Sequence, residues 1–126
     1  MEIVSIANKL SKIATVKNTD ANEYEIITGA KINSKTPIKI FLVEENGIIK
    51  FTDKKNTLKF MNQLYELKSL DVKNCISAVI KIYGFSIVSG ELFATIRSEL
   101  SVKEILYNYI ICVGQLVNMY AFFDES

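Results

Sequence analysis

The stretch Gly47-Ile48-Ile49-Lys50-Phe51-Thr52-Asp53, followed by Lys54-Lys55-Asn56 and then Thr57-Leu58-Lys59-Phe60-Met61, decides the fold. An apolar strand runs into a Thr-Asp corner, and a helix opens about four residues later. Asn56 or Thr57 is placed to cap that helix, whose inner stripe carries Leu58, Met61, Leu64 and Tyr65. Just upstream, Glu45-Asn46-Gly47 carries the Asn-Gly signal of an antiparallel hairpin. In the strand before it, Ile38, Ile40 and Leu42 share one face while Lys39, Phe41 and Val43 take the other. Thr36-Pro37 opens that strand, where the missing amide donor of proline need not join the ladder.

Working outward, Ile3, Ile6, Ala7, Leu10, Ile13 and Ala14 recur at helical spacing and predict an opening helix that ends near Val16. Lys17-Asn18-Thr19-Asp20-Ala21-Asn22 reads as a polar breaker. Tyr24 to Ile32 then reads as a strand with Gly29 as a bulge, followed by the turn Asn33-Ser34-Lys35. Toward the C-terminus, Asp71 is placed to cap a helix whose inner side is Val72, Ile76, Val79, Ile80 and Tyr83, and Gly84 to stop it. A second hairpin pairs Phe85-Ser86-Ile87-Val88 with Glu91 to Ile96 through Ser89-Gly90. Ser101-Val102-Lys103-Glu104 has the pattern of a capping box, opening a helix that runs to about Tyr120. The predicted order is helix, three strands, two helices, two strands, long helix. That is an α+β domain spanning residues 1–126, with a mostly antiparallel five-stranded sheet and its helices on one face.

The 126 residues suffice for one core without disulfides or metals. The net charge of +1 gives no whole-molecule field that would recruit nucleic acid. Histidine is absent, which excludes Ser-His-Asp, Cys-His and His-based zinc chemistry. Cys75 and Cys112 fall on apolar faces of predicted helices and are expected to be buried and reduced. No basic-then-apolar leader opens the sequence, so a cytoplasmic location is the expectation. Ile105 to Phe123 is apolar and about long enough to cross a bilayer, but Asn108, Gln115 and Asn118 interrupt it. A buried helix, and no membrane, is expected.

From about Lys31 onward the chain resembles the bacterial and phage family filed as domain of unknown function eighteen-twenty-eight. The matching residues are Thr36-Pro37 with Ile38, Ile40 and Phe41, then Phe51-Thr52-Asp53, Thr57-Leu58 and Tyr83-Gly84. Two features depart from the family pattern: Lys54-Lys55 replaces an acidic-glycine pair after Thr-Asp, and an aromatic-acidic segment after Thr-Pro is missing. The element order is also similar to the secretion-chaperone-like fold, whose surface binds other proteins. The family resemblance implies a phage or mobile-element protein that modulates a host defence complex.

Asp53 sits at a strand end, where a carboxylate can orient a ligand or cation; its favoured role is to hold backbone amides in the turn. Glu44 and Glu45 point to opposite strand faces and do not converge. Seven lysines, Lys31, Lys35, Lys39, Lys50, Lys54, Lys55 and Lys59, stand against Glu44, Glu45 and Asp53 in one segment, so a basic patch for phosphate or an acidic protein is a candidate. Solvated lysines that guard sheet edges are the competing explanation. Tyr120, Ala121, Phe122 and Phe123 are consecutive, and successive helical positions turn by about 100°, so they cannot all face one core. The function expected is non-enzymatic protein binding without cofactor or metal, with a second copy of the chain as one candidate partner. Its partner-binding residues are Tyr120, Phe122, Phe123, Lys50, Lys54, Lys55 and Lys59. Nucleic-acid binding through Lys31 to Lys59 is the alternative.

Overall fold

The computed structural model describes residues 1–32, 35–62 and 70–119. Helix α1 (Ile3–Leu10) leads into strands β1 (Thr15–Asp20) and β2 (Glu23–Ile27), a short ribbon of β3 (Lys31–Ile32) and β4 (Thr36–Pro37), then β5 (Ile40–Glu45) and β6 (Ile48–Thr52). Helices α2 (Asn56–Met61) and α3 (Leu70–Tyr83) follow, then β7 (Ser86–Val88), β8 (Glu91–Thr95) and α4 (Val102–Asn118). The main sheet is antiparallel throughout, in the order β1-β2-β5-β6-β8-β7. It is the expected α+β architecture, with six strands in the main sheet rather than five.

The added strand is β1. The opening helix stops at Leu10 instead of Val16, and Lys17 to Asp20, read from sequence as a breaker, pairs along the edge of β2. Ile13, counted on the buried stripe, is consequently exposed. An edge strand with one face toward solvent carries no apolar alternation, so polar residues are acceptable there.

The alternation of the inner strands builds the core. Ile26, Ile40, Leu42, Ile49, Phe51, Leu92 and Ala94 all point to one side and are buried in one cluster with α1 and α4. Helix α1 packs on β1 and β5, α2 on β8 and α4, and α3 on α4 and β7. Helix α4 runs through the middle, burying Val102, Leu106, Tyr109, Cys112, Val113, Leu116 and Val117. Among the described residues one helix, Glu99–Asn118 with mean hydropathy 1.2, is long and apolar enough to cross a bilayer. Its buried side packs in the centre of the domain's core.

Turn chemistry fixes the register. Asn46 and Gly47 both have positive φ, as do Ser89 and Gly90, and each pair closes a two-residue hairpin. The strand expected over Tyr24 to Ile32 is interrupted at Gly29, whose φ is +83°. Two capping assignments change. Ser101 makes no side-chain cap on α4; Ser98 accepts from the Leu100 amide instead, and the Ser101 hydroxyl donates to the Ser98 carbonyl at 3.1 Å. Neither Asn56 nor Thr57 caps α2, because the residue at the cap position is Lys55, in a left-handed conformation. Asp71 lies within the first turn of α3. Cys112 is buried as expected, whereas Cys75 is exposed on the outer side of α3. Leu64 and Tyr65, and the turn residues Asn33 and Ser34, lie outside the described residues.

Helix α3 ends as read from sequence. Gly84 (φ +72°) donates to Lys81 at 3.2 Å and Phe85 to Ile80 at 3.1 Å, the paired bonds of a left-handed helix stop. A Cβ at residue 84 meets no neighbour within 4 Å, so only the backbone opposes substitution. Gly84→Ala is therefore expected to lower unfolding free energy by about 1 kcal/mol without changing the fold, measured by urea denaturation.

Candidate functional site on the open sheet face

The described helices pack on the side of the sheet that carries the core, and none of them covers the opposite side. By strand parity it carries Glu23 and Glu25 of β2, Phe41 and Val43 of β5, Lys50 and Thr52 of β6, and Glu91 and Phe93 of β8. The registers Glu25↔Phe41, Phe41↔Thr52 and Thr52↔Phe93 place two phenylalanines on either side of Thr52 in one cross-strand row.

Each ring has its own lysine. The Lys54 ammonium lies 4.3 Å from the centroid of Phe41 and 2.8 Å from a Glu23 carboxylate oxygen. The Lys50 ammonium lies 4.8 Å from the centroid of Phe93, 3.3 Å from Glu91 and 3.9 Å from Glu45. The Thr52 hydroxyl donates to Glu91. Two cation–aromatic–carboxylate groups thus flank Thr52. Val43 is only 4% exposed and Thr52 2% on this uncovered side.

The corner that aims Lys54 is built by Thr52 and Asp53. The Thr52 hydroxyl accepts from the Lys54 amide at 3.1 Å, and Asp53 Oδ1 accepts from the Lys55 amide at 2.9 Å. These side-chain turns hold Lys54 (φ +51°) and Lys55 (φ +70°) in the left-handed region. Asp53 Oδ1 also accepts from the Leu92 amide at 3.1 Å, and Oδ2 from the Thr57 amide at 2.9 Å. Asp53 is wholly buried. Its carboxylate ties β6, β8 and the start of α2 together and faces no cleft, so the structural role favoured from sequence is the one it plays.

Of the other residues singled out by sequence, Lys55 and Lys59 are exposed at α2 and make no ion pair among the described residues. The structure brings Lys50 and Lys54 together on the sheet and leaves Lys55 and Lys59 on the helix. Tyr120, Phe122 and Phe123 lie outside the described residues. Met119 lines an open groove between α3 and α4, about 600 Å³, with Val79, Ile111 and Gly114. Phe93, Glu23 and Glu91 were not singled out by sequence, and Phe41 was named for its strand face and the family resemblance but not as a site residue. Parity relative to the buried Ile40, Leu42 and Phe51 was the signal that placed them with Lys50.

The electrostatics are those of pairing. The Lys54 ammonium, and then the Thr19 hydroxyl, hold the Glu23 carboxyl below its ordinary range. Burial pushes the Cys112 thiol up to about 12, which leaves it a packed, protonated side chain. Burial, and then the Asp53 carboxylate, raise Tyr109 well above its ordinary value, and its hydroxyl donates to the Leu92 carbonyl at 2.7 Å. No group of three or more His, Cys, Asp or Glu among the described residues is placed to hold a metal ion.

No family model, curated protein or solved structure matches the chain.

Asp53→Asn replaces one accepting oxygen by an NH₂ facing either the Thr57 amide or the Lys55 and Leu92 amides, and is expected to cost on the order of 3 kcal/mol in denaturant unfolding. Glu23→Gln, at a pair near the surface, is expected to cost at most about 1 kcal/mol. Because the Glu23 carboxyl is held down in the folded protein, its contribution is complete above the unfolded glutamate value of about 4.3. It disappears as pH falls through the lowered folded value. The stability difference between wild type and Glu23→Gln should follow that course in a pH series.

Proposed function

We propose that this chain is a non-enzymatic protein-binding module of the cytoplasm, and that the open sheet face is its recognition surface. The observation that carries the proposal is the pair of locked groups Lys54–Phe41–Glu23 and Lys50–Phe93–Glu91. Their ammonium groups already hold counter-charges, and both ring faces are occupied. A polynucleotide gains affinity by neutralising phosphates with free cations and stacking bases on bare rings, and Lys50 and Lys54 offer neither. A protein surface with acids opposite the lysines, bases opposite the glutamates and apolar side chains against the two phenylalanines complements the pattern. Binding is steric and needs no cofactor or metal. The motifs shared with the family of unknown function extend the proposal to a phage or mobile-element protein that occupies a surface of a host defence complex.

A photo-crosslinking residue at Thr95, beside Phe93 on the open face, tests this in host cells. A discrete protein adduct is expected, absent when the same residue replaces Val4 on the outer side of α1, and lost in Lys50→Glu/Lys54→Glu. An adduct of the chain with itself assigns the partner as a second copy. Identical adducts from both positions, or polynucleotide recovered in place of protein, would overturn the proposal.

A further inference from the structure

The hairpin from β2 to β5 is bent in the middle. Strand β2 stops at Ile27 and resumes as β3 at Lys31, while β4 stops at Pro37 and resumes as β5 at Ile40. The bend is held by the Ile38 amide donating to the Ala30 carbonyl at 3.0 Å, and by the Thr28 hydroxyl accepting from the Ala30 amide at 3.2 Å. Gly29, at φ +83°, makes the change of direction.

The bend encloses a pocket of about 320 Å³, within the size range of small-ligand sites. Ile27, Ala30, Pro37 and Ile38 supply an apolar lining, with Lys31 and Lys39 beside them. Neither lysine has an ion-pair partner among the described residues, in contrast to Lys50 and Lys54. Glu25 also lines the pocket. Its Cα partner across the β1–β2 register is Lys17, with which it makes no ion pair among the described residues. The walls therefore carry two cations, without ion-pair partners among the described residues, against one carboxylate, next to apolar surface. A neutral apolar ligand leaves the ammonium groups unused, and a small hydrophilic anion leaves the isoleucines bare. A molecule with both an apolar body and a carboxylate satisfies both.

We propose that this pocket binds an apolar carboxylate, its apolar part against Ile27, Pro37 and Ile38 and its carboxylate between Lys31 and Lys39. The group can belong to a free monocarboxylic acid or to the end of a peptide chain. The site stands independently of the protein-binding proposal: of the residues named on the open face only Glu25 lines the pocket, and it belongs to neither locked group.

Amide-resolved NMR titration of the full chain with octanoate, and separately with N-acetyl-Ala-Leu bearing a free carboxylate, tests it. Saturable shifts are expected at Ile27, Gly29, Ala30 and Ile38. Octanamide, which has the same length without the charge, is expected to bind roughly tenfold more weakly than octanoate. Lys31→Gln/Lys39→Gln should lose the acid preference while its spectrum stays dispersed. Tighter binding of the peptide acid assigns the ligand to a chain end, and tighter binding of octanoate to a free acid. No saturable shift with either acid, or equal affinity for acid and amide, would overturn the proposal.

Discussion

The buried carboxylate of Asp53 is the constraint on which the rest of this structure depends. A carboxylate only accepts hydrogen bonds, so a wholly buried one requires donors from its surroundings. Here they are the backbone amides of Lys55, Thr57 and Leu92. Thr57 belongs to the first turn of α2, and Leu92 to β8. One side chain at the end of β6 therefore sets where the next helix begins and how the neighbouring strand lies. Leu92 is fixed from its other backbone group as well, because its carbonyl accepts the Tyr109 hydroxyl from α4. Sheet, short helix and central helix meet at one residue pair.

The open face is a consequence of the same corner. Two consecutive non-glycine residues in the left-handed region cost roughly 1–2 kcal/mol each. Glycine would remove that cost at Lys54 and Lys55, but glycine has no ammonium to set over Phe41. The strain is held by Thr52 and Asp53, each accepting the amide two residues on. Thr52 links the two halves of the face, since its hydroxyl also donates to the Glu91 that pairs with Lys50.

How much of this was legible in the sequence depended on whether the signal was local. Asn46-Gly47, Ser89-Gly90 and Gly84 carry their backbone requirement in their own chemistry, and each turn or helix stop formed where it was read. The buried alternation of Ile38, Ile40 and Leu42 was equally direct. Strand β1 was not legible, because an edge strand with a polar outer face has the composition of a loop. The capping box at Ser101 failed because a competing serine three residues earlier satisfied the chain first. The lysines were visible as a set, but their meaning was not. Glu23 opens β2 and Lys54 follows the end of β6, and only the sheet order, with β5 between those two strands, decides that one charge cancels the other.

That cancellation bears on how such a face can bind. Long lysine side chains ordinarily lose rotamer freedom on association, at about 0.5–1.5 kcal/mol per side chain. Lys50, with only 12% of its side chain exposed, has surrendered most of that freedom on folding. Val43 and Thr52 are already buried in the unbound protein, while Ile27 and Ile48, of the same strand parity, stay exposed at the margins of the face. A surface of this kind suits docking with little rearrangement, and in the proposed complex the fixed order of opposite charges, rather than the area buried, would set specificity. The pocket in the bent hairpin differs on the same physical grounds. Its two lysines have no ion-pair partner among the described residues, so the proposed ligand would supply a counter-charge, whereas the proposed partner on the sheet face would have to match charges that the fold has already paired.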